Sequence, residues 1–291
     1  MNPERKARLK LFLAIESGNN FWANEVSKNG AQIVCTAIEA GFYDNSMNNS
    51  GKIKSKLREV DIDEAVKEIA KSESLFIEPS HELWPNQLND LPNPPFGLVI
   101  QGQFEFMEQL NKSISIVGTR NPTNYGLRIA SDFAAGLVDR EWSVVSGGAF
   151  GIDSAAHHGA ISAEGITFGV LGGGVNKPYP LANEKLFYEI RAKGVLISEV
   201  MPSINPVPHR FLIRNRIIAA LSKGTVVVEA AYRSGSLRTA RDAAEIYRPV
   251  MAIPGPINVP TSEGCHKLIS ERCAELVASV SDVMELVNPL V

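Results

Sequence analysis

The sequence predicts an α/β fold: a doubly wound, mostly parallel sheet over residues 76–291, preceded by a small all-helical domain over residues 1–75. Three observations predict it. From about residue 96, short apolar runs alternate with helical stretches. The runs are apolar throughout rather than at every second residue, as in strands covered on both faces. The first 75 residues read instead as short helices.

The elements follow in order. Leu9, Leu11, Phe12 and Ile15 recur at helical spacing until Gly18-Asn19-Asn20 breaks the pattern. Val26, Ile33, Val34 and Ile38 predict a second helical stretch ending near Gly41. Asp44 to Gly51 is polar and Asn-rich, a loop. Ile62, Ala65, Val66 and Ile69 mark a further helix, with Asp61 as its N-cap. A Pro-rich passage runs from Pro79 to Pro95, and Trp84, Leu88 and Leu91 are its candidates to pack on the next domain. Strands are then predicted at 113–117, 143–146, 167–171, 195–198, 225–229 and 250–253. Helices are predicted between them at 127–140, 152–164, 183–193, 211–222 and 237–247. This is an open Rossmann-like sheet.

Composition bounds the function. The chain has 291 residues, 44% hydrophobic and 21% charged, with net charge -3, which excludes a disordered chain and a globally basic one. No run of about 18 apolar residues is present, so a membrane span is not expected. The basic start lacks a cleavage site behind its apolar run, so no signal peptide is expected. Cys35, Cys265 and Cys273 show no CxxC spacing; reduced thiols are expected and a zinc site is not. Charge is uneven, however. Residues 209–248 hold eight basic residues against three acidic ones, net +5. Such a window can steer an anion. On charge alone, solvated helix-face arginines are the simpler account.

In a doubly wound sheet, ligands bind beyond the carboxyl ends of the strands. Here those ends carry Gly118-Thr119-Arg120, then Ser146-Gly147-Gly148-Ala149-Phe150-Gly151, then Gly172-Gly173-Gly174, then Ser234-Gly235-Ser236 opening a helix. Small residues let amides face an anion, and helix N-termini favour phosphate. Glycines after strands also serve tight turns, so one such loop says little. Four together, one bearing Arg120, point to a phosphate-rich ligand. Neither G-x-G-x-x-G nor G-x-x-x-x-G-K-[ST] is present, which disfavours dinucleotide cofactors and P-loop hydrolysis, and no cofactor is expected.

The densest constellation is His209-Arg210-Phe211-Leu212-Ile213-Arg214-Asn215-Arg216. Arginines fork onto phosphates and a ring stacks on a base. Leu212, Ile213, Ile217 and Ile218 are expected in the core. Phe211 fits core or site equally, and Asn215 fits a loop brace. Arg214 and Arg216 point to different helix faces, so one of them is a candidate ion-pair partner of Glu229 or Glu199. Catalytic candidates are thin. His157 or His158 is expected to pack on a strand, Asp153 suits a helix N-terminus, and no nucleophile arrangement or metal-ligand spacing stands out.

These motifs resemble the DprA/Smf family of DNA-processing proteins. The resemblance rests on Ser115-Ile116-Val117-Gly118-Thr119-Arg120, Ser146 to His157, Val170 to Gly174, Ile197-Ser198-Glu199, Phe211 to Ile218, Val228 to Ala231, Ser234 to Ala240 and Ile253-Pro254-Gly255, in that order. It implies an extended Rossmann fold and a cytoplasmic, non-enzymatic protein that binds single-stranded DNA, dimerises and helps load RecA during natural transformation. The implied DNA-binding residues are Gly118, Arg120, Ser146, Gly147, Gly148, Phe150, Gly151, Arg210, Phe211, Arg214, Asn215, Arg216, Ser234, Gly235, Ser236, Arg238 and Thr239. The helical region would be the accessory domain many members carry. Phe150 stands where members often place a basic residue. Cys265, His266 and Cys273 depart from the pattern in a region that contributes to dimerisation. The chain's end at Val291 implies no appended winged-helix domain. The alternative is a phosphoribohydrolase-type enzyme, whose Thr and following carboxylate would be Thr239 and Asp242; its Pro-Gly-Gly lead is missing.

Overall fold

The computed structural model describes residues 1–44 and 48–288. The N-terminal region folds into five helices: α1 (Pro3–Ala14), α2 (Asn20–Asn29), α3 (Ala31–Ala40), α4 (Ser50–Glu59) and α5 (Ile62–Lys71). Their ends follow capping chemistry. The side chains of Asn2, Asn19 and Asp61 each accept an amide of the first turn. The single stretch predicted from Val26 to Ile38 is two helices, because the chain turns at Gly30. The predicted loop at 44–51 is shorter, since Ser50 and Gly51 open α4; its residues 45–47 lie outside the described residues. Ile33 and Val66 are exposed rather than packed.

Among the described residues the sheet has nine strands in the order β1-β2-β6-β5-β4-β3-β7-β8-β9. They are β1 (Ser74–Ile77), β2 (Leu98–Gly102), β3 (Ser113–Val117), β4 (Ser143–Ser146), β5 (Thr167–Leu171), β6 (Val195–Ser198), β7 (Thr225–Val227), β8 (Val250–Ala252) and β9 (Glu275–Leu276). The pairs from β6 through β9 are parallel, and β1 and β2 add antiparallel pairs at one edge. β1 straddles the boundary expected at residues 75 and 76. The other helices are α6 (Asn124–Val138), α7 (Ile152–Ser162), α8 (Glu184–Lys193), α9 (Pro208–Leu221), α10 (Ser236–Glu245), α11 (Glu263–Ser270) and α12 (Val280–Val287).

Both sheet faces are dry. Alternate residues of β3 and β4 enter opposite cores, Ile114, Ile116 and Val144 on one side and Val117 and Val145 on the other. The second side is covered by α9 and α10, with Trp84, Leu88 and Leu91 of the Pro-rich passage packed there as expected. On the first side, α6, α7 and α12 cover one half, while α8 and α1 to α5 cover the other. Leu9, Trp22, Ile38 and Leu57 share one apolar cluster with Val99, Leu171, Phe187 and Leu196.

His157 of α7 is fully buried against β5, its Nδ1 2.7 Å from Thr167 Oγ1. Burial, with the neighbouring His158 and Arg214, holds its pKa down at about 3. It is neutral in the fold and protonates near pH 6.5 when unfolded. Its stabilisation is therefore complete above about pH 6.5 and is lost as pH falls toward about 3, at up to about 1.4 kcal/mol per pH unit. His157→Asn is expected to flatten the fall of the melting temperature between pH 7 and pH 4. An unchanged fall would place the acid sensitivity elsewhere.

Candidate nucleic-acid interface

β3 leads to β4, β5 and β6 on one side and neighbours β7 and β8 on the other, so the loops after β3 and β7 part and open a crevice. The cleft there has a volume of about 460 Å³. It is lined by Gly118 and Arg120 after β3, by Phe211, Arg214 and Asn215 of α9, and by Ser234, Gly235, Ser236 and Thr239 at the start of α10. Nine residues expected at a binding site thus meet in one place.

Phe211 is the centre of this arrangement. Its ring rests on Gly172, where a β-carbon would collide with it. The guanidinium carbons of Arg120 and Arg214 lie 5.7 and 6.0 Å from the ring centroid, and the Tyr179 ring is 5.6 Å away. The ring is half-buried, packed on Gly172 and part of the cleft lining. Arg120 is exposed. Arg214 is buried: its Nη1 donates to the Val170 carbonyl at 2.5 Å, and its guanidinium lies directly against Gly147. Burial pulls Arg214 down to about 10, although nearby Asp153 opposes the shift. Burial also pushes the Asp153 carboxyl above its ordinary value, against the pull of Arg214 and the amides of Ala149 and Gly147.

The Ser146–Gly151 loop serves the site from behind. Ser146 is buried and donates its hydroxyl to the Ile116 carbonyl at 2.7 Å, so it is a sheet brace and not a contact residue. Gly147 makes room for Arg214, and Gly148 for the Phe187 ring. Gly151 holds φ 83 with Thr119 O and Pro122 packed on it, a position closed to a side chain. The amide of Ala149 is already aimed at Asp153 Oδ2, at 3.4 Å, so this helix start is answered by its own carboxylate. Phe150 is 46% exposed, as expected, but lies outside the cleft lining.

Three expected arginine contacts go elsewhere. Arg216 is buried on Glu199, with Nη2 2.6 Å from Oε1, which identifies it as the structural member of the arginine pair. Arg210 donates Nε and Nη2 to the Glu16 carboxylate at 2.6 and 2.9 Å, tying α9 to the helical region. Arg238 is held by Asp242 at 2.6 Å and lines a neighbouring groove. Asn215 donates to the Gly235 carbonyl at 3.3 Å, so it braces the loop as well as lining the cleft. Leu212, expected in the core, is 56% exposed because α9 starts at Pro208 and turns it outward. Thr119, Asp153 and Arg233 also line the cleft. Asp153 gave only a helix-start signal, and Arg233 only a place in the basic window.

The family model for DNA recombination-mediator protein A matches residues 75–288. The chain belongs to that family. A putative DNA processing protein DprA of Mycobacterium tuberculosis (strain CDC 1551 / Oshkosh) is 46% identical over 67% of this chain and 50% of its own length. DNA processing protein DprA of Bacillus subtilis (strain 168) is 37% identical over 71% of this chain and 69% of its own. The chain thus spans about half the length of the mycobacterial relative. The X-ray structure of DprA from Streptococcus pneumoniae superposes with TM-score 0.83 at 31% identity, covering 96% of each chain. DNA processing protein A from Helicobacter pylori, whose structure is described for its single-stranded DNA binding mode, gives TM-score 0.66 at 27% identity over 73% of this chain and 94% of its own. Among the described residues, no helix is long and apolar enough to cross a membrane.

Proposed function

We propose that this DprA/Smf protein binds single-stranded DNA in the cleft without reading its sequence, protects the strand and hands it to a RecA-type recombinase, acting as a cytoplasmic dimer without catalysis. One observation carries the binding step: Phe211 presents a supported ring in the cleft lining, with the guanidinium carbons of Arg120 and Arg214 5.7 and 6.0 Å from its centroid. A base stacks on such a ring whatever its identity, and its phosphate falls within reach of Arg120. The α10 start adds donors. Ser234 and Ser236 hydroxyls sit 2.7 Å apart at an end with no side-chain cap. The relative from Helicobacter pylori with its single-stranded DNA binding mode supports the same ligand. The helices before β1 are read as the accessory domain, fixed to α9 through Glu16 and Arg210.

The phosphoribohydrolase alternative has less support. Thr239 lines the cleft, but Asp242 is buried on Arg238 and outside the lining, so the two are not offered to one substrate.

The test is a fluorescence titration with single-stranded and duplex oligonucleotides at several salt concentrations. Tighter binding of the single strand is expected. Arg120→Ala is expected to weaken binding for every sequence and to lower the salt slope by roughly one unit, the counterion share of one phosphate contact. Equal affinity for duplex and single strand would overturn the reading, as would turnover of nucleoside monophosphates.

A further inference from the structure

Beside the central cleft lies a second groove of about 390 Å³, between the 232–236 loop, α10 and α11. The two share a wall made of Leu212, Arg233, Ser234 and Gly235. Beyond that wall the groove is lined by Tyr232, Arg238, Arg241 and Lys267.

Its charge is incompletely answered. Arg238 is paired with Asp242 and Lys267 with Glu271. Arg233 and Arg241 are exposed, and neither has an acidic partner within 4 Å among the described residues. Two uncompensated guanidinium groups in one groove draw a polyanion.

Its apolar surface is equally unspent. Tyr232 is 54% exposed, with Lys267 Nζ 4.2 Å from the ring centroid on one side. Leu212 is exposed on the shared wall. Exposed apolar side chains flanked by free cations match a splayed strand, which offers flat bases and phosphates in alternation. The wall itself is low. A β-carbon on Gly235 would meet nothing within 4 Å, so the backbone there forms an open saddle between the two grooves.

We propose that this groove is a second subsite of the same single strand, taking the neighbouring nucleotides as they leave the cleft over Gly235, with Tyr232 as a stacking platform and Arg233 and Arg241 as phosphate contacts. The inference rests on the single-strand reading of the cleft and adds the strand's exit path.

The experiment uses the full chain and its double variant Tyr232→Ala/Arg241→Ala, titrated with oligothymidylates of about 4 and about 12 nucleotides, a range spanning known single-strand site sizes. Both residues are exposed, so the melting temperature should be unchanged. The variant is expected to bind the short oligonucleotide as the parent does. It should lose tenfold or more on the long one, with a salt slope lower by about one. An equal loss on both lengths, or no loss on the long one, overturns the second subsite while leaving the cleft reading intact. A parent chain that binds neither length overturns both.

Discussion

Phe211→Ala is expected to lower affinity for single-stranded DNA more than tenfold, at low and high salt alike. Among the described residues, the ring is the one aromatic face in the cleft lining. Stacking contributes about 1–3 kcal/mol per base, and it is not an ionic term, so salt does not screen it. The ring also orders what surrounds it. Arg120 lies over it and Tyr179 leans on it, so its removal loosens one phosphate donor as well. The fold should survive, because the ring is only half-buried. Normal binding by a folded variant would remove the ring from the site. A loss that disappears at high salt would mean that the arginine, not the ring, carried the effect.

Arg214→Ala is expected to act on stability before it acts on binding. Arg214 is 7% exposed, and its guanidinium satisfies the buried carbonyl of Val170. It also supplies the positive field that keeps buried Asp153 from rising further. Its loss leaves a void against Gly147, an unpaired carbonyl and an uncompensated carboxyl. Removing a buried charged partner costs about 3 kcal/mol. For a chain of this size that corresponds to a fall of roughly 5 °C in Tm. Arg120→Ala, on an exposed side chain, should leave Tm alone and lower the salt slope instead. A stable Arg214→Ala variant with weaker, less salt-sensitive binding would show the guanidinium to be a ligand contact.

The contrast between these two arginines marks the limit of sequence reading here. Six of the seven strands that pair in parallel were legible, because strands buried on both faces are apolar without interruption. β1, β2 and β9 were not: β1 and β9 are short edge strands, Glu275 and Leu276 of β9 are exposed, and β2 follows directly on the Pro-rich passage. The cleft was legible through Gly118, Arg120 and Ser234–Ser236, since a chain that must leave a strand end and pass a ligand needs small residues there. What the sequence hid was direction. Arg210, Arg214 and Arg216 sit within seven residues of one helix, yet one turns to Glu16, one lies beneath Phe211 and one is sealed on Glu199. Helix phase separates them, but only the position of distant acids decides their roles. Ser146 likewise was expected as a ligand contact at a strand end, and its hydroxyl turns inward to the Ile116 carbonyl.

The apolar cluster that joins α1 to α5 with β2, β5, β6 and α8 has a consequence for how the molecule comes apart. Leu9, Trp22 and Leu57 share one core with Val99, Phe187 and Leu196. Polar ties sew the same seam, from Arg5 to the Phe76 carbonyl, from Ser17 to the Glu199 carbonyl and from Asn93 to the Gly18 carbonyl. The helical layer and the sheet therefore share their melting: neither opens to solvent without exposing the other, and they behave as a single cooperative foldon. A proteolytic nick before β1 would leave the two pieces associated, and separating them would strip one face of β6 bare. An accessory region by sequence is, in energy, one wall of the core beneath β5 and β6.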